Sequence, residues 1–164
     1  MRFLILLVSA LFFGNSADAK EIVHGNLTIT VPEYAELNKE GVDEQGNIFH
    51  VYSLGLGKLL MLRQSPPGFE YDPESGRLIY HTMRIKELND NYGFISHSNS
   101  KVSNCNMDVY QYKTTDNIEG EPFIYYTSDY IIYCSDKMSM VSYSDTSKHT
   151  FKAYNDLLAT MKIK

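Results

Sequence analysis

The two cysteines, Cys105 and Cys134, are the residues of this chain whose chemistry follows most directly from their type and spacing. They lack the C-x-x-C spacing of a redox or zinc site, and no histidine lies close enough along the chain to complete a metal motif. Met107 follows Cys105, and Ile132 precedes Cys134, at the spacing that places side chains on one face of a strand. In an oxidising compartment this pattern predicts a structural disulfide between two core-facing thiols.

The five histidines show no spacing typical of a metal or catalytic site. No two of them lie at i, i+2 or i, i+4; they are His24, His50, His81, His97 and His149. The chain also lacks a G-x-S-x-G elbow, a phosphate-binding loop and a dinucleotide-binding glycine motif. We therefore expect scattered histidines, no metal, no cofactor and no enzymatic activity. An active site whose residues come together only in space is the alternative.

Tyrosine is the unusual feature of the composition, with thirteen residues and no tryptophan. Tyr110 and Tyr112 alternate with Val109 on a predicted strand, so they face outward if Val109 faces the core. Exposed tyrosines offer rigid contact area with a polar tip and are enriched in recognition surfaces; ordinary β-propensity is the alternative explanation. A Pro-rich excursion over residues 65–76 is a second candidate surface. The predicted partner-binding residues are Phe69, Tyr71, Asp72, Tyr110 and Tyr112.

The elements that position these residues are mostly predicted as β-strands. Apolar and polar residues alternate in segments separated by polar turns, namely 27–31, 47–54, 58–63, 92–97, 107–113, 123–126, 129–134 and 138–143. Residues 77–89 fit either a strand or a helix, and their pattern favours a strand that runs into a short helical turn. The sequence therefore predicts a mostly antiparallel sheet.

The clearest helical pattern lies at the C-terminus. From Lys148 onward, apolar residues recur at helical steps, at Phe151, Tyr154, Leu157, Leu158 and Met161. This spacing puts them on one face of a helix, for which Ser147 is a suitable N-cap. We expect an α+β fold in which this C-terminal amphipathic helix covers the sheet; a helix that docks onto another protein is the alternative.

Residues 1–19 have the three parts of a cleavable secretory signal peptide. An arginine is followed by an apolar run over 3–14 and by a polar stretch that ends in A-x-A. The apolar run is shorter than the roughly 20 residues that span a bilayer, which disfavours the alternative of a retained anchor. We expect cleavage before Lys20 and a single domain over 20–164, located in the periplasm or, alternatively, outside the cell.

The net charge of the chain is −5. An acidic balance disfavours nucleic acid and anionic membranes as partners, because both repel negative charge. It permits a basic protein partner.

Three stretches of the sequence carry a family likeness: the opening strand LTITVPEY, the late hairpin DYIIYCSDKMSMVSYS and the closing helix FKAYNDLLATMKIK. Together they resemble the Mog1/PsbP-like α/β/α sandwich, including small exported bacterial proteins of the DcrB type. A tryptophan commonly follows the first strand's proline in such proteins, and Tyr34 lies nearby here instead. The resemblance implies a non-catalytic accessory or binding module and assigns no functional residue.

We therefore expect an exported, non-enzymatic protein that binds another protein. The most concrete version is a periplasmic inhibitor or immunity-type protein that neutralises a toxin or enzyme, such as a basic one. The alternative is a PsbP/DcrB-like envelope accessory or small-ligand-binding protein, which requires an apolar pocket between helix and sheet.

Overall fold

In a computed structural model, the protein is described for residues 18–55, 57–66, 72, 75–118, 120–134, 137–146 and 159–163. These residues form ten strands and one helix. In chain order they are β1 (Ala19–His24), β2 (Leu27–Pro32), β3 (Glu36–Val42), β4 (Ile48–Ser53), β5 (Leu59–Gln64), α1 (Ser75–Asn91), β6 (Gly93–Val102), β7 (Cys105–Ile118), β8 (Glu121–Tyr133), β9 (Met138–Asp145) and β10 (Lys162–Ile163).

The strands form two sheets. Seven of them pair in the order β3-β4-β5-β9-β8-β7-β6, and the other three pair as β1-β2-β10. Every neighbouring pair is antiparallel. The predicted α+β class with a mostly antiparallel sheet is therefore confirmed.

The large sheet has an apolar core on each of its faces. Along β8, Tyr130 and Ile132 point to a core shared with the small sheet. Ile131 and Tyr133 point to the opposite core, which includes Leu88 of α1. The central strand β8 is thus buried on both faces, which explains its run of consecutive buried residues.

The predicted disulfide between Cys105 and Cys134 is present. It links the start of β7 to the end of β8. Cys105 is buried, and Cys134 packs against the same core between the two sheets. The prediction that both thiols face the core is therefore also confirmed.

Removal of this disulfide is expected to lower the stability of the fold. The two cysteines are separated by 29 positions, and closing a loop of that size stabilises a fold by about 3–4 kcal/mol. The C105S/C134S variant should therefore melt about 10 °C below the oxidised wild-type protein. Calorimetry with and without reductant measures this difference, and the variant itself should not respond to reductant. Equal melting temperatures for the oxidised protein and the variant would contradict the prediction.

The segment predicted as a strand running into a helical turn is α1, a helix over its whole length, so that prediction is wrong. The helix packs on the sheet with Leu88 fully buried, but Arg77, His81 and Arg84 also face the sheet and make polar contacts with it. These residues lie at i, i+4 and i+7, the spacing of one helix face. Because charged residues alternate with the apolar Tyr80, Ile85 and Leu88 on the inward face, a search for apolar periodicity does not detect this helix.

The predicted C-terminal helix lies almost entirely outside the described residues, since 147–158 are not described. Met161, placed on the apolar face of that helix, is buried in the core between the sheets. Lys162–Ile163 instead form β10 and pair with β2, so the predicted helix does not extend to the end of the chain.

In the described part of the chain no helix is long and apolar enough to cross a membrane. Residues 1–17 of the predicted signal peptide are not described.

Candidate functional site

Helix α1 exposes apolar residues and turns charged residues toward the sheet. Leu78, Ile79 and Met83 are 66%, 61% and 68% exposed. They lie within two turns of one another on the side of the helix that faces away from the sheet, and we call them the outer stripe. A helix that packs on a sheet normally turns its apolar residues toward the sheet, because burial of apolar surface holds it there. An exposed apolar stripe of this kind is typical of an interaction surface.

The charged side of α1 is held to the sheet by a buried carboxylate, Asp129 on β8. Asp129 is 1% exposed. It accepts hydrogen bonds from Arg84, from Ser142 and, at 3.1 Å, from the Tyr112 hydroxyl. Burial acts to lower the pKa of Arg84, but the Asp129 carboxylate together with Tyr112, Glu87 and Tyr80 outweighs burial, and the pKa of Arg84 is raised. Arg84 also donates to Glu87 at 2.7 Å.

A second buried carboxylate, Asp108 on β7, lies at the N-terminal end of α1. Arg77 donates to it from Nε and Nη2, both at 2.7 Å. His97 of β6 lies with Nε2 3.1 Å from the same carboxylate. Burial acts to raise the pKa of Asp108, but the hydrogen bonds from Arg77 and His97 outweigh it and lower that pKa. The lowered pKa keeps the Asp108 carboxylate ionised, and the Arg77 guanidinium balances its charge.

The prediction that Tyr110 and Tyr112 face outward as partner-binding residues is wrong. They do lie on the sheet face opposite Val109, as the alternation predicts. That face is covered by α1, however, and the two tyrosines are 0% and 7% exposed. Their hydroxyls contact His81 and Asp129. Their role is therefore to anchor the helix, and they cannot touch a partner directly.

The predicted surface in the Pro-rich excursion falls largely outside the described residues. Phe69 and Tyr71 are not described. Asp72 is exposed, and its carboxylate accepts a hydrogen bond from the backbone N–H of Ser75 at 2.9 Å. This contact caps the start of α1.

A cavity of about 480 Å³ lies on one side of α1, between the helix and the sheet. Its apolar wall comes mainly from Tyr80, Met83, Ile131, Met138 and Met140, and we call it the methionine cavity. Met83 belongs to both this cavity and the outer stripe. Methionine side chains adapt to differently shaped apolar groups, so the cavity can accept an anchoring side chain next to the stripe.

A second cavity, of about 370 Å³, lies on the other side of α1, toward the edge strand β6. We call it the histidine cavity; its polar lining consists of Arg77, His81, His97, Asn99, Asn106 and Asp108. The rings of His81 and His97 are 4.4 Å apart between centroids, and His97 stacks on Tyr110 at 4.9 Å. Leu78 of the outer stripe forms part of its rim.

The histidines are less scattered than the sequence predicts. His81 pairs with His97, and His24 pairs with His50 at 4.6 Å between ring centroids. His149 is not described. Each pair joins residues from different elements, so no spacing along the chain reveals it. Within the described ranges, no group of three or more His, Cys, Asp or Glu side chains is arranged so that it could hold a metal ion.

The comparisons with known proteins identify the fold. No protein-family model matches the sequence, and no curated protein matches it. Among solved structures, the chain is similar to the Ran-binding protein Mog1p of Saccharomyces cerevisiae, with a TM-score of 0.52 and 11% identity over 90% of this chain and 96% of that one. It is also similar to a Bacteroides thetaiotaomicron protein, with a TM-score of 0.53 and 14% identity over 88% of this chain.

The architecture is therefore that of the Mog1/PsbP-like proteins, as the sequence resemblance implies. The chain spans about half of the Bacteroides protein, 48% of its length. At these levels of identity the likeness shows the fold alone, because one fold hosts many functions. The site has to be interpreted from its own residues.

Proposed function

We propose that the protein is an exported, non-enzymatic module that binds another protein through the outer stripe of α1. The observation that carries this proposal is the exposure of Leu78, Ile79 and Met83, each above 60%. Full burial of such a side chain at an interface is worth about 1.5–3 kcal/mol. A stripe of three residues beside a deep apolar cavity has the layout of an interface centre.

The net charge of the chain, −5, permits a basic partner. On α1 itself the acidic side chains of Glu87 and Asp90 are paired with Arg84 and Lys86, so the preference rests on the charge of the whole chain. A partner that presents an apolar anchor and a net positive charge would match the outer stripe and this overall charge. The most concrete version is a periplasmic inhibitor or immunity-type protein that neutralises a basic toxin or enzyme. The similar yeast protein binds Ran, so protein binding does occur on this fold.

The methionine cavity favours a second candidate function, a PsbP/DcrB-like envelope accessory protein that binds a small ligand. Its volume of about 480 Å³ is within the range of ligand sites, roughly 300–1,000 Å³. A cavity-filling M138W variant separates the two candidates. It should abolish binding of a small apolar ligand and leave the outer stripe available to a protein.

Site-specific crosslinking tests the proposed surface. A photoreactive residue at Ile79 should crosslink to a discrete protein in cells that export the chain, and mass spectrometry then identifies it. The matched control is the same probe at Val42, which is 66% exposed but lies on the edge strand β3. An adduct at 79 and none at 42 is expected. Crosslinking at 42 alone, or at neither position, would refute the assignment of the surface.

The export part of the proposal predicts a defined N-terminus. A signal peptidase that cuts after A-x-A should leave Lys20 as the first residue. Intact mass of the protein recovered from the periplasm or the medium measures this directly. A cell-associated chain that retains residues 1–19 would contradict it.

A further inference from the structure

We propose that the histidine cavity is a binding site for a small free oxyanion, the chemistry shared by carboxylates and phosphates. This site adjoins the outer stripe at Leu78, but its polar groups lie outside the stripe, and it goes beyond the proposed protein binding. The cavity encloses about 370 Å³, which fits a small molecule. Its polar lining offers hydrogen-bond donors and a single carboxylate.

Arg77 retains donor capacity toward the cavity. Its Nε and Nη2 atoms are directed to Asp108, so the N–H groups of Nη1 are left for another acceptor. A guanidinium is the preferred side chain for carboxylate and phosphate recognition. Here it is fixed in position by the buried carboxylate behind it.

His81 presents a second donor. The Tyr110 hydroxyl is fully buried, and burial raises the pKa of Tyr110, so it keeps its proton. A buried O–H needs an acceptor, and His81 Nδ1 lies 2.8 Å away. With Nδ1 accepting, the proton of the neutral imidazole is on Nε2. Because His81 lines the cavity, we infer that this N–H group serves as a donor there.

Asp108 does not repel an anion from this site. Its side chain is 2% exposed, and both carboxylate oxygens accept hydrogen bonds, from Arg77 and His97. The Arg77 charge balances the Asp108 charge. The side-chain amides of Asn99 and Asn106 on the rim add neutral donors.

Binding of an oxyanion should take up a proton. The pKa of His81 is lowered from 6.5, chiefly by burial and then by His97. The charged and titratable groups around its ring are Arg77 from α1, His97 from β6, and Asp108 and Tyr110 from β7. A bound anion favours the imidazolium and raises this pKa. Affinity should therefore increase as the pH falls below about 7, and level off below the pKa of the free protein.

Calorimetric titration of the full chain with sulfate tests the site, since sulfate keeps its charge between pH 5.5 and 7.5. We expect one saturable site. Its affinity for sulfate should be about tenfold higher at pH 5.5 than at pH 7.5, the change expected if binding raises the pKa of His81 by about one unit. Chloride at equal ionic strength should not compete. Absence of saturable binding at pH 5.5 would overturn the proposal.

Two histidine variants make the test specific. In H81Q the glutamine oxygen can still accept from Tyr110, so the fold should persist, but the titrating group is gone. Sulfate binding by H81Q should no longer depend on pH, and its affinity at pH 5.5 should be about tenfold lower than that of the wild type. H50Q removes a histidine of the other pair and should bind sulfate as the wild type does. Equal sulfate binding by H81Q and the wild type, or equal losses in H81Q and H50Q, would refute the assignment.

Discussion

Replacement of Asp129 by asparagine is expected to destabilise the protein by about 3–5 kcal/mol, because it leaves the Arg84 charge without its buried counter-ion. The Arg84 side chain is only 14% exposed, so water cannot take the place of the carboxylate. Asparagine has the size of aspartate and can still accept from Ser142 or Tyr112. Arg84 then keeps only the half-exposed Glu87 carboxylate as an ion-pair partner, so the loss measures the missing Asp129 charge rather than a cavity.

Urea unfolding measures this effect, with two further variants as controls. D90N removes an exposed carboxylate from the same helix, 52% exposed, and should change the free energy of unfolding by less than about 0.5 kcal/mol. The double variant R84M/D129L removes both charges and should recover part of the loss, since no buried ion is left unpaired, while the Ser142 and Tyr112 hydroxyls lose Asp129 as their acceptor. A D129N protein as stable as D90N would show that the Arg84–Asp129 pair does not hold α1 to the sheet.

Much of the fold follows from the sequence. The alternation along strands such as 107–113, together with the turn residues between strands, predicts a mostly antiparallel sheet. The disulfide is predictable because Cys105 and Cys134 each share a strand face with apolar residues. Both predictions depend on local patterns that tertiary packing reinforces.

The candidate site was not predictable in the same way. Helix α1 has polar as well as apolar residues on its inward face, so Arg77, His81 and Arg84 look like solvent-exposed residues in a sequence. Their spacing of i, i+4 and i+7 was the available signal, but it indicates a buried face only if a sheet offers Asp108 and Asp129 as partners. Those carboxylates lie on strands far along the chain.

The tyrosine prediction failed for a related reason. Alternation along the strand correctly places Tyr110 on the face opposite Val109, but it does not reveal whether another element packs on that face of the sheet. Because α1 covers it, Tyr110 and Tyr112 are anchors, and the most exposed apolar residues on this side of the sheet are Leu78, Ile79 and Met83 of the helix itself.

The L78E/M83E variant is expected to lose at least about 100-fold in affinity for the protein crosslinked at Ile79. Burial of the two side chains would contribute about 3–6 kcal/mol, and a tenfold change in affinity corresponds to about 1.4 kcal/mol. The two glutamates also place charge at the centre of the interface, where desolvation is costly. The free protein should keep its stability, since both positions are exposed.

V42E is the matched control, because it replaces an equally exposed apolar residue by glutamate on β3, away from α1. It adds negative charge without touching the outer stripe. Its melting temperature and that of L78E/M83E should both stay close to the wild-type value, which excludes misfolding as the cause of lost binding.

The dissociation constants of these two variants for the same purified partner test the proposed binding surface most directly. Isothermal titration calorimetry should show L78E/M83E weakened by at least about 100-fold and V42E within about twofold of the wild type. Equal affinities for the two variants would contradict the assignment of the outer stripe of α1 as the partner-binding surface.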